Sequence, residues 1–428
     1  MTNGYNTPIG VPIGLPSILS LGLPPLINPY PTLNLDFIEN PQFDSRITFT
    51  RASTATYFNS AGVLTTANNN VARFDYNPST LAPRGLLIEE QRTNSLLQSE
   101  AFNEAVWGKS TATVSANAAI SPDGAMTADK FIANNGTSGY LDQSATYVAG
   151  TTYTWSFFAK AAERDYVSFL VYGTNFGGSN LGRTYTLTGA GTVSALAGTA
   201  APTAATITAI GNGWFRCTFT AVCATGHAAA SFQIRDSVNG DGTSGRFLWG
   251  AQLEAGAFAT SYIPTTTTAL TRNADVASMT GTNFSSWYNA SEGTFVAETT
   301  VAAPRTTDFN VLRVDDGTSS NRAQVGSGSS ATLFNGFLVT SGALQGNNTV
   351  SVSPLGTKKV AFAFTANNSV TVAAGTAGST DTTVTVPSGI NRLLFGRDDA
   401  ASYLNGTISR IAYYPTRLPN STLQALTA

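Results

Sequence analysis

A recurring two-residue rhythm restricts the fold more than any other feature of the chain. In GWFRCTFTAVC (213–223), Phe215, Cys217, Phe219 and Ala221 take alternate positions, and Trp214, Arg216, Thr218 and Thr220 fill those between. Successive side chains of a strand point to opposite faces, so this is a strand with one face in a core and the other toward water or a ligand. Short runs of the same kind return roughly every ten residues: TADKFIA, TYTWSFFAKA, DYVSFLVYG, TYTLTG, ASFQIRD and RFLWGAQLE. Gly- and Asn-rich turns separate them, as in an antiparallel sandwich. A second series follows in EGTFVAETTV, NVLRVDD, KKVAFAFTA, SVTVAAG, TTVTVP, RLLFG and LNGTISRIAYYP. No long stretch carries a helical period. A short helix is expected at the end, capped by Asn420 or Ser421, with Leu423 and Leu426 as its apolar edge.

The expected fold class is therefore all-β: two antiparallel, jelly-roll-like sandwiches preceded by a small β-rich module and an extended arm. The boundaries read as 1–35 for the arm, 36–95 for the module, 96–268 for the first sandwich, 269–284 for a linker and 285–428 for the second sandwich. Within the module, Asn59 to Val63 (NSAGV) is a hairpin turn. RFLWGAQLE closes the first sandwich, buried through Phe247, Trp249, Ala251 and Leu253. TSYIPTTTT is a stiff connector whose exit is fixed by Pro264, and Arg272 and Asp275 are expected to pair and pin the next domain.

Composition narrows the function. Charged residues make up 11% of the chain, against about 25% for an average soluble domain. Thr, Ser, Asn, Ala and Gly take their place, and such surfaces suit neutral, hydroxyl-rich partners. The net charge is −2 and no run of Lys or Arg exists, which sets nucleic acid aside. His227 is the sole histidine, so Ser-His, Cys-His and multi-His metal chemistry are nearly excluded; within ATGHAAA it reads as a turn residue. Cys217 and Cys223 share one strand face, too far apart along it for a disulfide, and read as buried thiols.

Residues 1–35 hold no charged side chain, and prolines at 8, 12, 16, 24, 25, 29 and 31 forbid a membrane helix. There is no positive leader of a signal peptide, so synthesis in a cytoplasm is expected. An apolar, proline-stiffened segment suits docking into a groove on another protein, with Pro8, Ile9, Pro12, Ile13, Leu15, Pro16, Leu23 and Pro24 as anchor residues.

Sugar binding on a sandwich needs an aromatic platform and groups that read hydroxyls. In the first sandwich the candidates are Trp155, Tyr166, Tyr172, Trp214, Gln233 and Arg235, each weighed against core packing or a solvated face. In the second, Arg313, Asp315, Arg322, Asp398 and Tyr403 could edge a rim, or keep hairpin tips and sheet edges soluble. Asp236, Asn239 and Asp241 cluster oxygens in DSVNGDGTSG, a candidate Ca²⁺ loop whose spacing departs from the EF-hand and whose Asn-Gly and Asp-Gly steps equally form turns. No other cofactor is expected. The acid neighbours Glu89/Glu90, Asp315/Asp316 and Asp398/Asp399 point to opposite faces of their strands, so none is a ready pair across a glycosidic bond.

Three strings carry a resemblance: GNGWFRC, WGAQLE with TSYIPT beyond it, and TRNAD. They resemble a head-spike or fibre module of bacteriophage virion proteins, similar to carbohydrate-binding jelly-roll sandwiches. Residues 47–94 resemble the module that precedes it, and YLNGTISRIAYYPTRLPNSTLQALT resembles the end of a concanavalin A-like, laminin-G-like sandwich. The resemblance implies a homotrimeric spike on the virion surface, made in the bacterial host cytoplasm. It also implies contact with host cell-surface polysaccharide and no catalytic residues. Residues 1–35 would then be held by a phage capsid protein, more readily than by a tail protein. A purely structural decoration protein and a tail-associated receptor-binding protein or depolymerase are the alternatives; the chain lacks the β-helix repeat common in the last.

Overall fold

A computed structural model describes residues 30–224, 227–301, 307–327, 332–399 and 402–428. The anchor residues Pro8 to Pro24 lie outside the described residues. Every named strand pair is antiparallel, and the strands form two sandwiches, as the alternation requires.

The first sandwich faces two six-stranded sheets. One runs Ala204–Ala209, Trp214–Val222, Thr152–Ala161, Gly245–Ala255, Ala128–Ala133, Ala112–Ala119. The other runs Thr192–Ala195, Leu181–Thr186, Tyr166–Val171, His227–Arg235, Tyr140–Tyr147, Gly108–Ser110. Phe215, Cys217, Phe219 and Ala221 all enter the shared core, with Phe157, Phe169 and Phe232 opposite. Both cysteines are buried thiols. His227 begins a strand, opposite Tyr147, and is not in a turn.

The second sandwich corrects the sequence division. Its eight-stranded sheet pairs Thr376–Ala377, Asn368–Ala373, Gly356–Thr365, Gly293–Val301, Gly406–Tyr414, Pro83–Ile88 and Phe74–Tyr76 in that order. Leu33–Asp36 joins the same edge of Gly406–Tyr414, setting Leu33 against Tyr413 and Asp36 against Arg410. One long strand thus serves two short ones, since Pro83–Ile88 pairs only with its first residues. Gly85 lets this happen: at φ +94° a Cβ there would lie 2.3 Å from the Ile408 carbonyl oxygen. The facing seven-stranded sheet runs Thr48–Thr50, Val276–Thr280, Arg392–Phe395, Asn310–Asp315, Arg322–Ser327, Phe334–Thr340, Ala343–Val350. The last residues of the arm and the strands of the 36–95 module and the 269–284 linker therefore belong to the second sandwich or to small ladders beside it. Within the module, Ala55–Phe58 and Leu64–Ala67 form the expected hairpin around Asn59.

Further local expectations fail. TTVTVP (382–387) is not a strand; Thr385 is held by side chains, its carbonyl accepting from Thr340 Oγ1 and its N–H facing Gln345 Oε1. The terminal helix Asn420–Thr427 has Pro419 as its N-cap and no side-chain cap bond; Asn420 Oδ1 instead accepts from Arg417. Leu423 is fully buried, covering the apolar outer face of the eight-stranded sheet made by Ala361, Ala363, Val370, Val372 and Tyr414.

Where module, connector and sandwiches meet, five charged residues are buried. Asp275 accepts from Arg51 Nη1 at 3.0 Å, Arg73 Nη2 at 2.5 Å and the Glu89 backbone N–H at 2.9 Å. Arg73 also reaches Glu89 at 2.8 Å. Arg272 does not pair with Asp275; it lies 3.5 Å from Glu89 and donates to the Glu90 carbonyl at 2.7 Å. The sequence shows both charges, but their partners sit about 200 residues away in the chain: Arg51 is 224 and Arg73 202 residues from Asp275.

Candidate functional site

On the first sandwich, the strand His227–Arg235 turns Gln233 and Arg235 to the outer face, with Asp142 directly opposite Gln233 and Tyr140 opposite Arg235. Gln233 Nε2 donates to the Tyr172 hydroxyl at 2.9 Å, and Arg235 Nη1 approaches Gln233 Oε1 at 3.3 Å. Tyr172 is exposed, but Gln233 is only 2% exposed. Burial pushes the Asp142 carboxyl above its usual range.

Of the other candidates of this domain, Trp155 and Trp214 are buried and Tyr166 is half-buried. Trp155 is 1% exposed at the centre of the aromatic core, and Trp214 is 2% exposed, its indole N–H donated to the Ile120 carbonyl. Tyr166 donates its hydroxyl to Asp236 and lies under the Arg246 guanidinium, 5.1 Å from the ring. Burial and the Asp236 carboxylate push its phenol up to about 12. The oxygens of the candidate Ca²⁺ loop face the protein's own donors. Asp236 binds Arg246 at 2.8 Å, Asp241 caps Thr243 and Ser244, and the Asn239 carbonyl faces Arg164. Among the described residues no three His, Cys, Asp or Glu side chains form a metal-sized group.

The second sandwich carries an open groove of about 710 Å³ on the outer face of its seven-stranded sheet. Cross-strand register builds its floor: Arg313, Gln324, Phe337 and Asn347 lie side by side on four consecutive strands. A neighbouring row sets Asp315 beside Arg322, then Val339 and Leu344. Inward residues between them, Leu312, Val314, Ala323, Val325 and Leu338, are core, so alternation forces the polar set outward. Arg322 lies over the Phe337 ring at 5.4 Å and donates Nε to Gln324 Oε1 at 3.1 Å and Nη1 to the Ser319 carbonyl. Burial, with Arg313 nearby, lowers its pKa. It stays charged, and the shift marks a cation poorly solvated by water.

Arg313 is 4% exposed and holds the 316–321 turn, donating to Asp315 at 2.5 Å and to the Thr318 carbonyl at 2.8 Å. Asp315 also pairs with Arg392. Asp398 lines the groove and accepts from the Ser402 N–H at 3.1 Å. Tyr403 does not line it: the ring is 9% exposed, belongs to the core and lies beneath Arg397. Asn310 Oδ1 and Asn335 Oδ1, both at the groove, are buried with no hydrogen-bond partner among the described residues. Sequence reading thus found Arg313, Arg322 and Asp398 but missed Gln324, Phe337, Asn310, Asn335 and Asn347. Alternation in RAQVGS and FNGFLVT marks Gln324 and Phe337 as outward; that they are neighbours depends on register.

No protein-family model matches the chain, and no curated protein is significantly similar. Among solved structures, the CBM40 module of the Ruminococcus gnavus IT-sialidase bound to α2,3-sialyllactose aligns at 16% identity over 34% of this chain and 88% of that one, with TM-score 0.30. A heptameric SAP-like pentraxin from Limulus polyphemus aligns at 9% identity over 32% and 70%, with TM-score 0.25. Trypanosoma rangeli sialidase aligns at 9% identity over 70% and 60%, with TM-score 0.28.

Proposed function

We propose that the chain is a non-enzymatic bacteriophage virion protein, a fibre or spike that binds host cell-surface polysaccharide through the groove of its second sandwich. Residues 1–35 would fix it to the capsid, and a homotrimer would supply avidity from weak single sites. The observation that carries the reading is the groove floor, where the half-buried Gln324 amide and Phe337 ring and the exposed Asn347 amide lie in register on three strands, with the Arg322 guanidinium over the ring. Planar amides and guanidinium groups read hydroxyls, an aromatic face takes sugar C–H bonds, and the groove is open at its ends for a polymer.

The passive character is argued from the acids. Asp315 is held between Arg313 and Arg392, Asp399 pairs with Arg392, Glu89 pairs with Arg73, and Asp316 caps the turn through Thr318 and Asn321. None of these is placed as a proton donor facing a partner carboxylate across a bond. The virion placement rests on the motif resemblance and on the apolar, proline-rich composition of residues 1–35.

Equilibrium titration of the full-length protein with capsular polysaccharide of the host tests the site. Arg322→Ala and Phe337→Ala should each weaken binding at least about tenfold, the worth of a charged hydrogen bond or a stacked ring. Unchanged affinity in both would move binding elsewhere. Removing residues 1–29, which leaves the strand Leu33–Asp36 in place, should free the protein from particles; retention would reject the anchor.

A further inference from the structure

The groove has a neighbour at the border of its own sandwich. Asp308 and Ser402, which line it, also line a second open cleft of about 760 Å³ at the seam between the two sandwiches. The first sandwich supplies Thr151, Thr152 and the segment from Ala255 to Phe258 to this cleft, and the module supplies Glu90 and Arg92. Groove and cleft each have the size of a small-ligand site, about 300–1,000 Å³, and the two shared residues join them.

The cleft repeats the chemistry of the groove. Phe337 carries the Arg322 guanidinium over its ring at 5.4 Å, and Phe258 carries that of Arg92 at 5.2 Å. Arg92 is held in turn by Glu90 and lies against Gly256, where φ is +146° and a Cβ would overlap the guanidinium. The same segment is braced from below. Gly256 donates its N–H to the Thr152 carbonyl at 2.7 Å, and its own carbonyl accepts from Thr154 Oγ1 at 2.8 Å. Phe258 is thus a half-buried ring on a fixed segment, a place to receive the C–H face of a sugar. Thr151, Thr152, Thr307 and Ser402 bring hydroxyls that can both donate and accept.

Charge narrows the occupant. Glu90 and Arg92 cancel as an ion pair, and the other charged side chain of the lining is the exposed Asp308. Among the described residues the cleft therefore offers no unpaired cation to a carboxylate, sulfate or phosphate, while the Asp308 carboxylate accepts strongly from sugar hydroxyls.

We propose that the cleft is a second set of subsites for the polysaccharide held in the groove, so that one chain runs from Phe337 past Asp308 and Ser402 onto Phe258, with an uncharged stretch in the cleft. This inference rests on the groove reading and extends it: the ligand is gripped along its length by both sandwiches, and each added subsite acts at high effective concentration.

Capsular polysaccharide of the proposed host, cleaved by mild acid and separated by size, supplies the probes: the single repeat unit and chains of about four repeats. Each is titrated into the full-length protein by calorimetry. The long chains should bind at least about tenfold tighter than the single unit. Phe258→Ala, and Ala257→Glu at an exposed position beside it, should each weaken the long chains at least about threefold and leave the single unit unchanged. Arg322→Ala should weaken both lengths. The gain with length should persist as salt rises from about 0.05 M to about 0.5 M. Equal affinity for the two lengths, a gain untouched by both cleft variants, or a gain lost in salt would overturn the cleft site and leave the groove standing. Binding of neither length would reject the groove reading and the cleft with it.

Discussion

At the scale of single residues, Asp275 and Glu89 do the most for their size. Asp275 is fully buried between Arg51 and Arg73. Replacing its carboxylate strands two buried guanidiniums, so Asp275→Asn should cost about 3–5 kcal/mol in chemical denaturation; a loss under about 1 kcal/mol would show the network to be dispensable. Glu89 adds an acid dependence. Burial raises its carboxyl, but Arg272 and Arg73, with the Ser261 hydrogen bonds, overcome this and hold it down at about 2. A carboxyl whose folded pKa is depressed stabilises the fold above its unfolded pKa and loses that contribution as pH falls through the folded value. Stability should therefore drop between about pH 4.5 and pH 2, and Glu89→Gln should flatten that limb. An unchanged limb in the variant would assign the acid sensitivity to other groups. These roles were only half legible: TRNAD and IEEQ display the charges, but which arginine meets which acid is set by strands from opposite ends of the chain.

At the scale of elements, the strands could be read and their partners could not. Alternation gives the inward faces of GWFRCTFTAVC and RAQVGS because a strand's period is local. The pairing of Leu33–Asp36 with Arg410 to Tyr413 joins segments about 380 residues apart, and no local pattern encodes that. The same limit explains the groove. Three of its residues stood out as charges, whereas Gln324, Phe337 and Asn347 become a set only through register. Trp155 and Trp214 failed as platforms for a related reason, since a sandwich core and an inter-domain contact both consume aromatic side chains. The N-terminal strand should behave as part of the second sandwich. Leu33 is fully buried there, so Leu33→Ala should cost about 2–5 kcal/mol, measured by urea unfolding. A change within about 0.5 kcal/mol would mean that the strand adds little.

At the scale of the whole molecule, the chain is two sandwiches built in an interleaved order. Residues 33–94 and 270–280 supply strands that complete the second sandwich or ladder beside it, and the hairpin at 55–67 covers Phe158, Trp214 and Trp249 on the first. A fragment of residues 285–428 alone should therefore lack a cooperative unfolding transition, because it loses the strands Leu33–Asp36, Thr48–Thr50, Pro83–Ile88 and Val276–Thr280. A sharp transition in that fragment would show the borrowed strands to be accessories. Interleaving also ties the groove's sheet to strands from both ends of the chain, in keeping with the proposed role of holding a polymer. The most direct measurement is to incubate the full-length protein with capsular polysaccharide of the proposed host and follow, in one sample, the amount that co-sediments and the number of reducing ends. The account predicts polymer retained by the wild type, little retained by Arg322→Ala, and no rise in reducing ends in either. New reducing ends, or retention untouched by the substitution, would contradict it.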